Sequence, residues 1–277
     1  MPLLLLAILA LVQGITEFLP ISSSGHLVLV WEVFDRTATE GVRAVEAERL
    51  DLDVAVHVGT LAAVCLYFWR DIWHMAVGLL RLATGRRDPG ARLAGLVLLA
   101  SLPIIPVGYF GKDLVLIYFR DIAVIGWTTL GFGILLGLAD RFGMLINRLE
   151  HLGWVQALIV GIAQVLALVP GTSRSGITMT AARFLGFERS EAARFSMLLA
   201  IPAIAGAGSL AGLDLYQNGD LSLGRDAAVA AVLAFIAALV AIAAMMAWLR
   251  RASFTPFVIY RILLGILLLA LVYGGVI

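Results

Sequence analysis

Gln13-Gly-Ile-Thr-Glu17-Phe-Leu-Pro20-Ile-Ser22-Ser-Ser24-Gly-His26 is the stretch on which the reading of this chain turns. It closes an apolar run, Pro2 to Leu19, that is interrupted by Pro20 and the triple serine before it reaches the length of a membrane span. A helix crossing a hydrocarbon core of ~30 Å needs about 20 apolar residues. A second run, Trp154 to Val169, is cut off in the same way by Pro170-Gly171 and the polar Thr172–Ser175. Each break is followed by another short apolar segment, Leu27 to Phe34 and Ile177 to Phe187. Backbone that leaves a helix at membrane depth is tolerated only where protein buries it or it lines a cavity. Both segments therefore predict re-entrant helical hairpins with their tips inside the membrane.

The remainder of the chain supplies the membrane. Of its 277 residues 61% are hydrophobic and only 14% charged, whereas a soluble domain is about half apolar and about a quarter charged. That composition excludes a soluble globular fold, and intrinsic disorder for the opposite reason. Six stretches are long enough to span: Leu52–Trp69, Ala91–Phe110, Ile122–Asp140, Glu191–Leu213, Asp226–Leu249 and Pro256–Val276. The expected fold class is an all-α integral membrane protein with six transmembrane helices plus two re-entrant hairpins. A net charge of +1 gives no field for nucleic acid. The single cysteine, Cys65, can form no intramolecular disulfide. Met1 to Val12 has neither a basic start nor a small-residue cleavage site, so it is not read as a removable signal peptide.

The two broken segments resemble each other. With Gln13 set on Gln164 and no gap, Ser22, Ser24 and Gly25 fall on Ser173, Ser175 and Gly176. Each hairpin precedes three spans, so the single membrane domain reads as repeat 1, about 1–146, and repeat 2, about 153–277. An odd number of spans per repeat turns the second repeat upside down, an inverted-topology repeat with its polar site near the midplane. Basic residues set the orientation. Twelve arginines fall on one side (Arg70, Arg81, Arg86, Arg87, Arg92, Arg141, Arg148, Arg183, Arg189, Arg194, Arg250 and Arg251) and six basic residues on the other. The richer side is expected to be cytoplasmic, which places the termini and the Asp35–Asp51 and Asp214–Asp226 loops outside.

Ionisable groups at membrane depth cost roughly 2.5–3.5 kcal/mol on insertion scales and default to functional hypotheses. They are few: Glu17 and His26 flank the first tip, and Arg174 sits at the second. Gln13 and Glu17, four apart, share a helix face, and Ser23 and His26 can meet if a helix restarts after the serines. Thr172-Ser173-Arg174-Ser175-Gly176 offers hydroxyls, N–H groups at a helix start and one guanidinium, an anion cradle. Spacing alone carries the reading to a buried polyanion site suited to phosphoryl transfer.

At these residues the chain resembles a known family. Gln13 to His26 and Pro170-Gly-Thr-Ser-Arg-Ser-Gly176 look like the two signature motifs of bacterial undecaprenyl-diphosphate phosphatases, the bacitracin-resistance family; Asp53-Val-Ala-Val-His57-Val-Gly59-Thr60 and Phe254-Thr-Pro256-Phe-Val-Ile-Tyr260-Arg261 also look like family segments. The resemblance covers essentially the whole chain. It implies hydrolysis of the polyprenyl diphosphate lipid carrier to its monophosphate at the outer face of the cytoplasmic membrane, carrier recycling for the cell wall, and bacitracin resistance. It also implies a divalent cation, Mg2+ or Ca2+, with Glu17 as the candidate metal residue. Position by position, Glu17 matches an essential carboxylate, Ser23 the proposed nucleophile, His26 the proposed acid/base and Arg174 the phosphate-binding arginine. Ser22, Ser24, Ser173 and Ser175 match pocket hydroxyls, and Gln13, Gly25, Thr172 and Gly176 complete the expected substrate-binding set. Gln13 stands where many members carry glutamate, so a mechanism needing two ionised carboxylates is in question. Membrane lipids are expected neighbours, and a homodimer is left open.

Blander readings compete. A Glu17–Arg174 bridge could hold the tips together without catalysis, and some of the three serines could serve only as a turn. His57 and Thr60 read as packing or interhelical hydrogen-bonding groups, His74 and His151 as interfacial, and Arg261 as snorkelling to the interface. The alternative function is a transporter of the lipid carrier or of an anion, because inverted repeats with broken helices are a transporter signature. Ser24-Gly25-His26 also resembles an element of the other membrane lipid-phosphate phosphatase family, but no later arginine–histidine–aspartate motif follows it.

Overall fold

In a computed structural model, residues 3–37, 46–119, 121–218 and 224–275 are described. They form twelve α-helices: α1 Leu3–Thr16, α2 Ser23–Thr37, α3 Glu46–Tyr67, α4 Trp69–Ala83, α5 Pro89–Ser101, α6 Ile104–Tyr118, α7 Ile122–Phe142, α8 Trp154–Val165, α9 Arg174–Phe184, α10 Arg189–Asn218, α11 Gly224–Leu249 and α12 Thr255–Tyr273. No strand occurs among the described residues; Asn147 and Phe187 make an isolated bridge.

Local chemistry sets the boundaries. Asp88 accepts from the Gly90 N–H at 2.8 Å and is followed by Pro89, which starts α5. Asp121 caps α7 through Ala123 N–H. Both sequence breaks are present: the chain leaves helix between Thr16 and Ser23, and again between a short 3-10 turn at Leu166–Leu168 and Arg174.

Four segments are long and apolar enough to cross a membrane: Pro89–Gly111 (α5 with α6), Ile122–Phe142, Arg225–Leu249 and Thr255–Tyr273. A fifth is counted if α3 and α4 are taken together, although the axis bends by 77° between them. The expected span Leu52–Trp69 thus ends at that bend. The expected span Glu191–Leu213 lies within the longer α10, which is not among the four. Leu4–Thr16 and Trp154–Leu168 are the short apolar helices that lead into the two breaks. Of the two expected outer loops, residues 38–45 and 219–223 lie outside the described residues, and the remainder is helical, at the ends of α2, α3, α10 and α11.

Helix packing comes in corresponding pairs. α1 and α3 lie against α11, while α8 and α10 lie against α5; α3 meets α10, and α7 meets α12. The approach is close because small residues line it. A Cβ at Gly14 of α1 would come within 2.6 Å of the Ala237 Cβ on α11, and one at Gly161 of α8 within 2.4 Å of the Ala100 carbonyl oxygen on α5. Small residues of this kind are how helices pack in lipid, where no hydrophobic drive separates protein from solvent.

Arg183, expected as a cation on the cytoplasmic side, is fully buried. Its guanidinium donates to Asp140 Oδ1 at 3.3 Å, to the carbonyls of Gly143 and Met144 at 2.8 Å each, and to the Phe187 carbonyl. Asp140 also accepts from Arg189 at 2.6 Å and from the Phe254 N–H at 3.0 Å. A buried charge persists only when paired and hydrogen-bonded. This one ties the end of α7 to α9, α10 and the start of α12.

Candidate active site

The two breaks fold alike. Ser22 and Ser173 take φ of 73° and 71°, the positive-φ non-glycine residues of the described chain. Each caps the following helix: the Gly25 N–H donates to Ser22 Oγ at 3.3 Å, and the Gly176 N–H to Ser173 Oγ at 3.1 Å. Each also pairs with the serine two residues on, Ser24 at 3.4 Å and Ser175 at 3.1 Å. The turn reading of the serines therefore holds for Ser22, although its hydroxyl satisfies an amide rather than a freed carbonyl. Ser24 points to the exposed side, and Ser175 donates to the Leu19 carbonyl at 2.9 Å, joining the tips.

Glu17 is the centre of the polar cluster and is buried. Its Oε1 accepts from Arg174 Nη2 at 2.9 Å. Its Oε2 accepts from Ser23 Oγ at 2.7 Å and from Gln13 Nε2 at 2.8 Å. His57 of α3 adds its Nε2 at 3.9 Å from the same oxygen. The structure thus brings Gln13, Glu17, Ser23 and Arg174 together and adds His57, which the sequence reading takes as a packing or interhelical hydrogen-bonding group rather than part of the site. The signal was present in the Asp53–Thr60 segment, but nothing in a lone apolar-helix histidine says which way it faces.

Among the described residues, buried polar atoms without a partner include Arg174 Nη1 and Gln13 Oε1 in this cluster, Thr172 Oγ1 at the second tip and, on α8, Gln164 Oε1. An unmade hydrogen bond at a buried group costs about 1–3 kcal/mol, more for a charged one. Two of these are donors on the second tip, a guanidinium N–H and a hydroxyl, next to the N-terminus of α9. Their chemistry suits an anion.

His26 does not meet Ser23. Its Nδ1 lies 2.6 Å from the Ser22 carbonyl oxygen and its Nε2 2.5 Å from the Tyr260 hydroxyl of α12, with the two rings nearly parallel at 13°. The helix restarts at Ser23, within the serine run rather than after it, and the hydroxyl turns to Glu17.

Arg261 corrects the sequence reading outright. It does not snorkel; it is fully buried. Its guanidinium donates to the carbonyls of Thr129 at 3.1 Å, Pro20 at 3.2 Å, Thr128 at 3.4 Å, Gly171 at 2.9 Å and Thr172 at 3.0 Å. Pro20 belongs to the first tip and Gly171 and Thr172 to the second, so one side chain spans both. Gly133 leaves the room: a Cβ there would lie 2.7 Å from the Arg261 Cβ.

For a divalent cation the fit is partial. No group of three or more His, Cys, Asp or Glu converges among the described residues. The free Gln13 Oε1 beside the Glu17 carboxylate nevertheless offers two oxygen donors. Mg2+ is commonly held by one or two carboxylates plus substrate phosphates, so these residues fit an ion shared with a phosphate ligand and not a closed protein cage.

These features define a class: a helical membrane protein whose two broken segments clasp a carboxylate to a guanidinium beside unspent donors. The chain belongs, more narrowly, to the family described as bacitracin resistance protein BacA, whose profile matches residues 6–267. It is 54% identical over 286 aligned residues to a protein of Rhodospirillum rubrum named undecaprenyl-diphosphatase 1, covering 99% of this chain and 97% of that protein. Proteins named undecaprenyl-diphosphatase from a Jannaschia species and a Ruegeria species are 49% and 47% identical, each over 99% of this chain and 100% of their own.

Proposed function

We propose that this chain is an undecaprenyl-diphosphatase: it hydrolyses undecaprenyl diphosphate to the monophosphate and phosphate, supports cell-wall synthesis by recycling the carrier, and confers bacitracin resistance. Family membership and full-length relatives of that name support the reading. The observation that carries the chemistry is the Glu17–Ser23 hydrogen bond set beside the unpartnered Arg174 Nη1 and Thr172 Oγ1.

The mechanism follows from those atoms. The diphosphate takes the free donors of the second tip and draws Arg174 away from Glu17, leaving the carboxylate as a base. Glu17 accepts the Ser23 hydroxyl proton, and Ser23 Oγ attacks the terminal phosphorus. The bond from that phosphorus to the bridging oxygen breaks, and the electron pair leaves with the lipid monophosphate. Water then attacks the serine phosphoester while His26 Nε2 takes one of its protons; Glu17 returns its proton to the departing Ser23 Oγ, restoring Ser23–OH, and His26 hands its proton to the released phosphate. Fixed donors aimed at the phosphate oxygens supply electrostatic stabilisation without reorganisation. When bound, Mg2+ or Ca2+ held by Glu17, Gln13 Oε1 and phosphate oxygens would neutralise phosphate charge.

The same reading places the protein in the cytoplasmic membrane with six spans and two re-entrant hairpins in an inverted repeat, the site opening outward. The paired packing of α1 and α3 on α11 and of α8 and α10 on α5 supports the repeat. The equal serine turns support it too. Protein purified in detergent, which has no two compartments, is expected to release phosphate from undecaprenyl diphosphate. A transporter of the carrier would release none.

A further inference from the structure

The neighbours Tyr260 and Arg261 on α12 both reach the tips, yet neither entered the sequence-level site. Arg261 is accounted for by its carbonyl contacts. Tyr260 is not: its hydroxyl lies 2.5 Å from His26 Nε2, and its ring lies near-parallel to the imidazole with centroids 5.7 Å apart.

The tautomer follows from the partners. At Nδ1 the partner is the Ser22 carbonyl oxygen, 2.6 Å away. A carbonyl only accepts, so Nδ1 carries the proton. In the neutral ring Nε2 is then a lone pair, and the phenol must be its donor. His26 is pinned at both nitrogens, by the first tip's backbone on one side and by α12 on the other. The titratable groups close to the ring are Tyr260 itself and the Arg261 guanidinium; Glu17 and Arg174 are paired with each other.

We propose that Tyr260 is a positioning residue for His26, fixing it as the Nδ1–H tautomer with Nε2 as the nitrogen that exchanges protons during the reaction. The inference rests on the proposed phosphatase reading and deepens it. Without the hydroxyl the ring is held only through Nδ1 by the Ser22 carbonyl and by stacking, and Nε2 loses the one donor that fixes its lone pair. When Nε2 gains a proton, the phenol oxygen reverses and accepts from it, so the same contact serves both charge states. The ring stacking adds a plane constraint that phenylalanine would preserve.

The test is kinetic, on detergent-purified full-length protein with undecaprenyl diphosphate. Tyr260→Phe should lower kcat about five- to tenfold, the worth of one hydrogen bond expressed as rate, with KM within about twofold and the His26-dependent limb of the kcat–pH profile displaced. Tyr260→Phe added to His26→Ala should cost nothing more than His26→Ala alone. Unchanged or faster turnover in Tyr260→Phe, or additive losses in the double variant, overturns the inference. His26→Ala at full activity would instead sink the role given to His26 while leaving the phosphatase reading standing. Should Tyr260→Phe not fold, the 15N shifts of His26 in the wild-type protein decide: a proton on Nε2 in the neutral ring overturns the proposal.

Discussion

Ser23 and Arg174 are the same position of two related helix starts, and both donate to Glu17, one to each carboxylate oxygen. Each is the first residue of its helix, α2 or α9, directly after a capping serine with positive φ. The two tips share the turn and differ in the residue that follows it. One tip delivers a hydroxyl and the other a guanidinium to a single carboxylate.

Glu17→Gln should fold and bind substrate but lose turnover by roughly 10²–10⁴, the usual contribution of a positioned base. The amide can still face Arg174 and Ser23, so thermal melting should move little. A large drop in melting temperature with turnover intact in the surviving protein would favour a purely structural clasp.

Arg174→Lys should recover little of the activity lost in Arg174→Ala. Nη2 holds Glu17 at 2.9 Å while Nη1 is unpartnered, and an ammonium cannot serve two directions with a planar fork. Comparable kcat/KM in the lysine variant and the parent would show that charge alone suffices.

Among the three serines, Ser23→Ala should cost far more rate than Ser24→Ala, whose hydroxyl pairs only with Ser22 at 3.4 Å. Ser22→Ala should act mainly on stability, by about 1 kcal/mol for a lost cap. Acid quench with phosphorus-labelled substrate should leave label on Ser23. Label on His26, or a Ser23→Ala variant near full rate, would move the attack to histidine or water.

Arg261→Met should be the most destabilising of these substitutions. It removes five donated bonds and leaves carbonyls at both tips unsatisfied, each worth ~1–3 kcal/mol. A melting temperature close to the parent's would show that the tips hold themselves.

Cysteines placed between Arg36 and Arg49 in a Cys65→Ala background should label from outside intact cells, and those at Arg86 or Arg148 should not. The reverse pattern would put the first tip's mouth in the cytoplasm.

The sequence made the broken segments legible because proline, glycine and serine runs act locally, although α1 already stops at Thr16, four residues before Pro20, and α8 gives way to a 3-10 turn at Leu166. It made Glu17, Ser23, His26 and Arg174 legible because polar groups stand out in an apolar chain. What it could not convey was which polar group meets which. His26 turning to Tyr260, Ser23 turning to Glu17 and Arg261 pointing inward all depend on contacts between residues far apart in the chain. Arg261 illustrates the failure: near the start of an apolar helix, an outward and an inward arginine have the same local pattern. Only the packing of α12 on α7, with Gly133 making room, selects the second.

Arg261 grips main-chain oxygens rather than side chains. Any residue supplies such an oxygen, so the grip is blind to side-chain identity at positions 20, 128, 129 and 172 as long as the backbone path is kept, whereas Gly171, with φ of 87° and no room for a Cβ against Thr128, is needed for the path itself. Variation can therefore accumulate around the tips, retuning what they recognise, without loosening what holds them in register.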